Sequence, residues 1–180
     1  MAKTKEQLLN ILDQFQLDEK VVSAEPFGNG HINDTLKVTN EKGEIKYVLQ
    51  RINHLIFTNV DMLQNNIHVV TTHIRKKLEE KGETDIDRKV LTFLPTKDGK
   101  KYYFDGDSYW RVCLFIPRSK SYEEVTPELS YEAGKAFGDF QTMLSDIPEG
   151  TLGETIPDFH NMEFRLRQFH EAVRQAGWKR

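Results

Sequence analysis

One cysteine in 180 residues leaves no disulfide framework to hold this chain together. Long hydrophobic runs are also missing: nowhere do about 18 apolar residues follow one another. The opening Met1 to Glu6 is polar and carries no apolar core of signal-peptide length. The expectation is a cytoplasmic protein with no membrane partner. Basic charge is not in excess, with 25 Lys and Arg against 28 Asp and Glu and a formal net charge of -3, so a nucleic-acid partner gains no support. The Gly-x-x-x-x-Gly-Lys-Ser/Thr, Gly-x-Ser-x-Gly and His-Glu-x-x-His patterns are absent, which removes three common routes to phosphate, acyl and zinc chemistry. Internal repeats and low-complexity tracts are absent as well.

What is present is an ordinary globular composition, 38% hydrophobic and 29% charged, in a chain long enough for one domain or one domain and part of a second. Cys113 lies inside the apolar run Tyr109 to Ile116 and reads as a small buried thiol. Thr4 to Phe15 gathers Leu8, Leu9, Ile11, Leu12 and Phe15 on one helical face, with Thr4 as cap and Gln7 three residues on. From Val21 to Ile52 apolar and polar residues alternate in short pieces broken at Gly28-Asn29-Gly30 and at Asn40-Glu41-Lys42-Gly43, which predicts three antiparallel strands joined by hairpins. Asn59 or Asp61 opens a long helix carrying Leu63, Ile67, Val70, Ile74 and Leu78 along one face, closed by Lys81 before Gly82. That face is expected to pack on the sheet.

A polar connector, Glu83 to Arg88, leads into expected strands at Val90 to Leu94, Lys101 to Phe104 and Ser108 to Ile116, with turns at Asp98-Gly99 and Asp105-Gly106. The texture changes near Pro117 to Tyr122. Thr126 and Pro127 then start a helix to about Leu144, a loop rich in Gly and Pro follows, and a last helix runs from about Met162 to Gln175.

Two phrases carry the functional reading: Phe27-Gly28-Asn29-Gly30-His31-Ile32-Asn33-Asp34-Thr35 and Tyr47-Val48-Leu49-Gln50-Arg51-Ile52-Asn53, with Asn66-Ile67 and His73-Ile74-Arg75 downstream. Together with the order of strands, long helix, strands and polar connector, they resemble the smaller lobe of the aminoglycoside phosphotransferase and choline kinase superfamily. Within it they look most like the N-acetylhexosamine 1-kinase branch, which uses ATP and magnesium. The resemblance implies an α+β, protein kinase-like N-lobe of about five antiparallel strands with a long packing helix. It spans residues 1–118, and residues 119–180 form the hinge and the start of an incomplete helical C-lobe.

The resemblance also implies a nucleotide site. Gly28, Asn29 and Gly30 would bend over the triphosphate and aim N–H groups at it, since a glycine backbone has no Cβ to hold the ligand away. Asn33 stands where a protein kinase has its third glycine, and asparagine enters the left-handed region more readily than most residues. His31, at the loop tip, would touch phosphate or the sugar substrate, the alternative being a solvent-exposed turn histidine. Asp34 reads as a turn cap or as a group acting through water or magnesium. The superfamily's strand cation is replaced by Gln50, with Arg51 next to it. Because side chains alternate, the two should face opposite sides, so either Gln50 donates an uncharged hydrogen bond or a bulge turns Arg51 inward. The long helix lacks the glutamate that would pair with a strand lysine, and Asn66 is a candidate to orient Gln50 or Arg51. Phe115 and Ile116 would form the hinge against adenine, with Leu114 and Ile116 lining its faces.

No His-x-Asp-x-x-x-x-Asn segment occurs in these residues, and Asp158-Phe159-His160-Asn161 lacks its spacing. The resemblance therefore implies the N-terminal portion of a sugar kinase, inactive alone, with no catalytic or magnesium-binding residue of its own; the magnesium ligands would lie in the missing part. The alternative is a non-catalytic half-kinase, a nucleotide-binding or interaction module. Phe137, Phe140, Met143, Phe164 and Phe169 are candidates for an associating patch and a possible dimer through the last helices.

Overall fold

A computed structural model describes residues 3–28, 30–122 and 124–177. In chain order the elements are α1 (Lys5–Leu12), β1 (Val21–Pro26), β2 (Asp34–Asn40), β3 (Ile45–Ile52), α2 (Val60–Glu80), α3 (Ile86–Lys89), β4 (Phe93–Leu94), β5 (Tyr103–Phe104), β6 (Tyr109–Leu114), α4 (Pro127–Leu144) and α5 (Met162–Gln175). The strands form one open antiparallel sheet in the order β1-β2-β3-β6-β4, and β5 pairs with the start of β6. The fold is α+β.

Local chemistry explains where the elements begin. Thr4 and Gln7 close a reciprocal capping box on α1, with Thr4 Oγ1 accepting from the Gln7 amide at 3.3 Å and Gln7 Oε1 accepting from the Thr4 amide at 2.9 Å. Asn59 caps α2, and Thr126 caps α4 with Pro127 in its first turn. In the β2–β3 hairpin the buried Asn40 carboxamide oxygen accepts from the amides of Lys42 and Glu44 at 3.0 and 2.9 Å, while Gly43 takes φ +81°. The starts of these elements match the sequence expectations to within a residue or two, whereas α1 ends at Leu12, short of Phe15.

Strand alternation divides the core between the two faces of the sheet. On one face, Val38, Leu49, Trp110 and Val112 pack against Leu8, Ile11, Leu12 and Phe15 of α1 and its exit. On the other, Ile52 and Tyr109 meet Phe57, Val60, Leu63 and Ile67 around the start of α2. The C-terminal half of α2 leaves the sheet: Ile74 and Leu78 close on Val90 and on Met143 and Leu144 of α4. Only part of the expected helix-on-sheet contact is therefore made.

The sequence reading overestimates three strands. Val90 serves the cluster under α2 instead of extending β4, and β4 and β5 each contribute only two paired residues to β6. The connector expected to be irregular contains α3, whose four residues are too few for helical periodicity to register. Helices α4 and α5 contain no buried residue; Phe137, Phe140 and Phe169 are exposed, whereas Met143 is tucked against the α2 cluster and Phe164 is half-buried. Among the described residues no helix is long and apolar enough to cross a membrane.

Candidate functional site

The β1–β2 hairpin places Gly28 and Gly30 at the rim of a hollow of about 750 Å³, together with Asn33, Asp34 and Arg51 and with Lys3 and Lys5 at the start of α1. Asn29 lies outside the described residues. The two glycines differ. Gly28 has φ +79°, a left-handed conformation that a side chain would strain, so the turn itself accounts for it. Gly30 does not have a left-handed φ, and a Cβ built there would meet only the Asn33 carbonyl oxygen, at an ordinary 3.8 Å. Nothing in the fold demands glycine at that position.

Asn33 behaves differently from expectation, since it is not among the residues with positive φ. Its carboxamide oxygen instead accepts from the Asn53 amide at 3.0 Å and ties the hairpin to the end of β3. His31 lines a neighbouring hollow with Arg51, Asn53 and His54.

Gln50 and Arg51 are separated by the sheet. β3 pairs regularly through both residues, Thr35 opposite Gln50 and Asp34 opposite Arg51, and the one register shift against β2 lies between Val38 and Thr39. No bulge turns Arg51 inward. Arg51 lies on the α1 face, where its Nε donates to Asp34 Oδ2 at 2.6 Å, so the two charges offset each other and Asp34 is engaged in that pair. Gln50 lies on the α2 face.

Its neighbours there are unexpected. Arg111 of β6 stands opposite Gln50 on the other side from Thr35, so that Thr35, Gln50 and Arg111 form one row across three strands. Arg111 Nε donates to Gln50 Oε1 at 3.0 Å, and Gln50 Nε2 donates to Thr35 Oγ1 at 3.1 Å. The guanidinium also sits over the Phe93 ring, 5.3 Å from its centre. Among the described residues Arg111 has no carboxylate partner, and its Nη1 is buried without a hydrogen bond. Burial pulls its pKa downward, and the same burial pushes the Cys113 thiol up to about 11. The sequence signal for Arg111 was slight: a lone cation in an otherwise apolar strand.

Phe115 also faces the α2 side, where its ring meets Phe27 edge to face at 5.9 Å, bringing the hairpin base and the end of β6 together. The Phe115 amide is spent on the Lys46 carbonyl at 2.9 Å, while Ile116 N–H has no backbone partner among the described residues. Leu114 packs toward the α1 core, not toward the face that carries Phe115. Asn66 is committed elsewhere too: its amide donates to the Gly153 carbonyl at 2.6 Å and its oxygen accepts from the Gly153 amide at 3.0 Å. It therefore clasps the loop after α4 onto α2 and orients neither Gln50 nor Arg51. Asn66→Ala is expected to lower stability by about 1–3 kcal/mol. Faster amide exchange at Gly153 would locate the loss, and protection equal to wild type would contradict the clasp.

His73 is engaged at the end of α4. Its Nε2 sits 3.1 Å from the Met143 carbonyl and 2.9 Å from Asp146 Oδ1, and with Lys77 it holds the C-terminal end of α4. Lys77 is the main cause that holds Asp146 down to about 2. Among the described residues no three His, Cys, Asp or Glu side chains converge on a point where a metal ion would fit. No protein-family model matches the chain.

Proposed function

We propose that this chain is the nucleotide-gripping portion of an ATP-dependent small-molecule phosphotransferase of the aminoglycoside phosphotransferase and choline kinase type, with an N-acetylhexosamine as the favoured acceptor. The triphosphate lies beneath the β1–β2 hairpin on the α2 face of the sheet, and the base lies toward Phe115 and Ile116. Charge favours that face over the hollow beside α1. There, Arg51 is already neutralised by Asp34 and Lys3 by Asp105, and Lys5 is exposed to solvent, whereas the α2 face carries the half-buried Arg111 beside Gln50 with no carboxylate partner among the described residues. Ile116 N–H has no backbone partner among the described residues and is offered to an adenine edge.

The observation that carries the reading is Gly30, a glycine that the local backbone does not require. Backbone that must approach phosphate oxygens closely gives such a residue a reason. The sequence has no His-x-Asp-x-x-x-x-Asn segment, so this proposal assigns phosphate transfer and its magnesium ligands to structure outside these residues. Gly30→Ala is expected to leave the melting temperature unchanged and to weaken ATP binding, read by calorimetry on the 180-residue chain, by about tenfold or more. Unchanged ATP affinity in the variant, or no affinity in the wild type, defeats the proposal.

A second reading rests on α4 and α5. Their exposed Tyr131, Phe137, Leu166 and Phe169 suit a half-kinase that serves as an interaction module. Such a module is expected to associate with a partner while showing no ATP affinity.

A further inference from the structure

The row Thr35-Gln50-Arg111 has a direction. Because Arg111 donates to the carboxamide oxygen of Gln50, the amide end is turned toward the hairpin, where one of its two N–H groups reaches Thr35. The Gln50 rotamer is thus set by Arg111, and the second N–H is left for another acceptor.

Arg111 itself presents an anomaly. Its guanidinium is held under the sheet with no carboxylate among the described residues, and Nη1 is a buried donor with nothing to donate to. A second orphaned donor, Gln64 Nε2 on the 2% exposed Gln64 of α2, lines the cleft that Phe93 also lines, the ring on which Arg111 stacks. Buried donors are nearly always satisfied, and a half-buried cation without a counter-charge costs free energy in the unliganded fold. One orphaned donor stacked on the Phe93 ring and another in the cleft that this ring lines, with no Asp or Glu in the cleft's lining, describe a place suited to a negative group. An oxyanion nearby would offset that cost, and the polyphosphate of a nucleotide supplies one.

We propose that Arg111 is the positive charge of this lobe for the nucleotide phosphates, a positioning residue that holds Gln50 with its amide toward the triphosphate and supplies from β6 the charge absent at Gln50 on β3. This rests on the reading of the lobe as a nucleotide site. A strand cation two strands from the hairpin serves the same electrostatic purpose as one on β3, because the row transmits both orientation and charge over three adjacent strands.

Calorimetry with ATP and with adenosine, which lacks phosphates, on the 180-residue wild type and its variants tests this. Arg111→Met is expected to weaken ATP binding about tenfold or more while adenosine binding stays unchanged, since only the phosphates sense the charge. Its melting temperature should be equal or higher, because a half-buried cation with no carboxylate partner among the described residues is replaced by an apolar chain of similar length. Adding Gln50→Lys to Arg111→Met should restore ATP affinity by moving the charge onto β3. Gln50→Glu, which keeps a contact to Arg111 but cancels its charge, should lose ATP affinity selectively, and it serves as the test if Arg111→Met fails to fold. A parallel loss of ATP and adenosine binding with a lower melting temperature would make Arg111 merely structural and overturn the inference. ATP affinity unchanged in Arg111→Met overturns it as well, and leaves the nucleotide reading standing. Wild type that binds neither ligand overturns both.

Discussion

Replacing Phe15 with alanine is expected to lower the unfolding free energy by about 3–5 kcal/mol. Phe15 is 1% exposed at the exit of α1, packed with Leu12, Val38, Leu49, Trp110 and Val112. The cavity it leaves cannot readily collapse. The backbone on either side is pinned to the turn after β4, with Gln16 N–H donating to the Pro95 carbonyl at 3.0 Å, Lys97 N–H donating to the Gln14 carbonyl at 2.7 Å, and an antiparallel bridge from Phe15 to Thr96. The opposite wall is the hydrogen-bonded sheet. Since small domains are stable by only about 5–15 kcal/mol, this loss should be plain in a denaturant titration, and a change under about 1 kcal/mol would mean that α1 is not part of the cooperative core.

Asp105→Ala should follow closely, with a loss of about 2–4 kcal/mol at neutral pH. The Asp105 carboxylate accepts from the amides of Asp107 and Ser108 at 3.0 and 2.8 Å and from the indole of buried Trp110 at 2.9 Å, and it pairs with Lys3 at 2.8 Å. Alanine strands all four donors. The same site makes an acid-pH prediction. Burial by itself raises the Asp105 pKa, but Lys3, the two amides and the indole outweigh it and hold the group at about 2, against 3.8 for an ordinary aspartate. A depressed carboxylate contributes stability that is fully present above the ordinary value and is lost as pH falls through the lowered one. Wild type should therefore lose on the order of 2 kcal/mol from this group between about pH 4 and pH 2. The variant should lack that part of the decline, and parallel pH curves for the two proteins would refute the assignment.

Both effects arise from contacts that no local pattern in the chain announces. Asp105-Gly106 reads as a turn, and it is one, with Gly106 at φ +94°. That the turn carboxylate also anchors Lys3 and Trp110 follows only from β6 folding back on β5. The proposed site shows the same division. Alternation alone separates Gln50 from Arg51, and the antiparallel pairing keeps them on opposite faces. The partner that matters to each is a cross-strand neighbour, Arg111 for one and Asp34 for the other. The sequence leaves Asn66 free to orient the strand residues, because nothing in its helix shows that a loop 87 residues later occupies both ends of its carboxamide.

The amino-acid order by itself determined the longer helices α1, α2, α4 and α5 and the β1–β2–β3 hairpins, because caps at Thr4, Asn59 and Thr126, the turn at Gly43, and the periods of two and 3.6 act over a few residues of contiguous chain. It also carried the hairpin glycines from which nucleotide binding is proposed. Only the tertiary structure decided which strand stands beside which. By inserting β6 between β3 and β4 it brought a lone arginine under Gln50. Pairing between distant strands depends on closing long loops and burying both faces at once, and a local pattern holds no record of either.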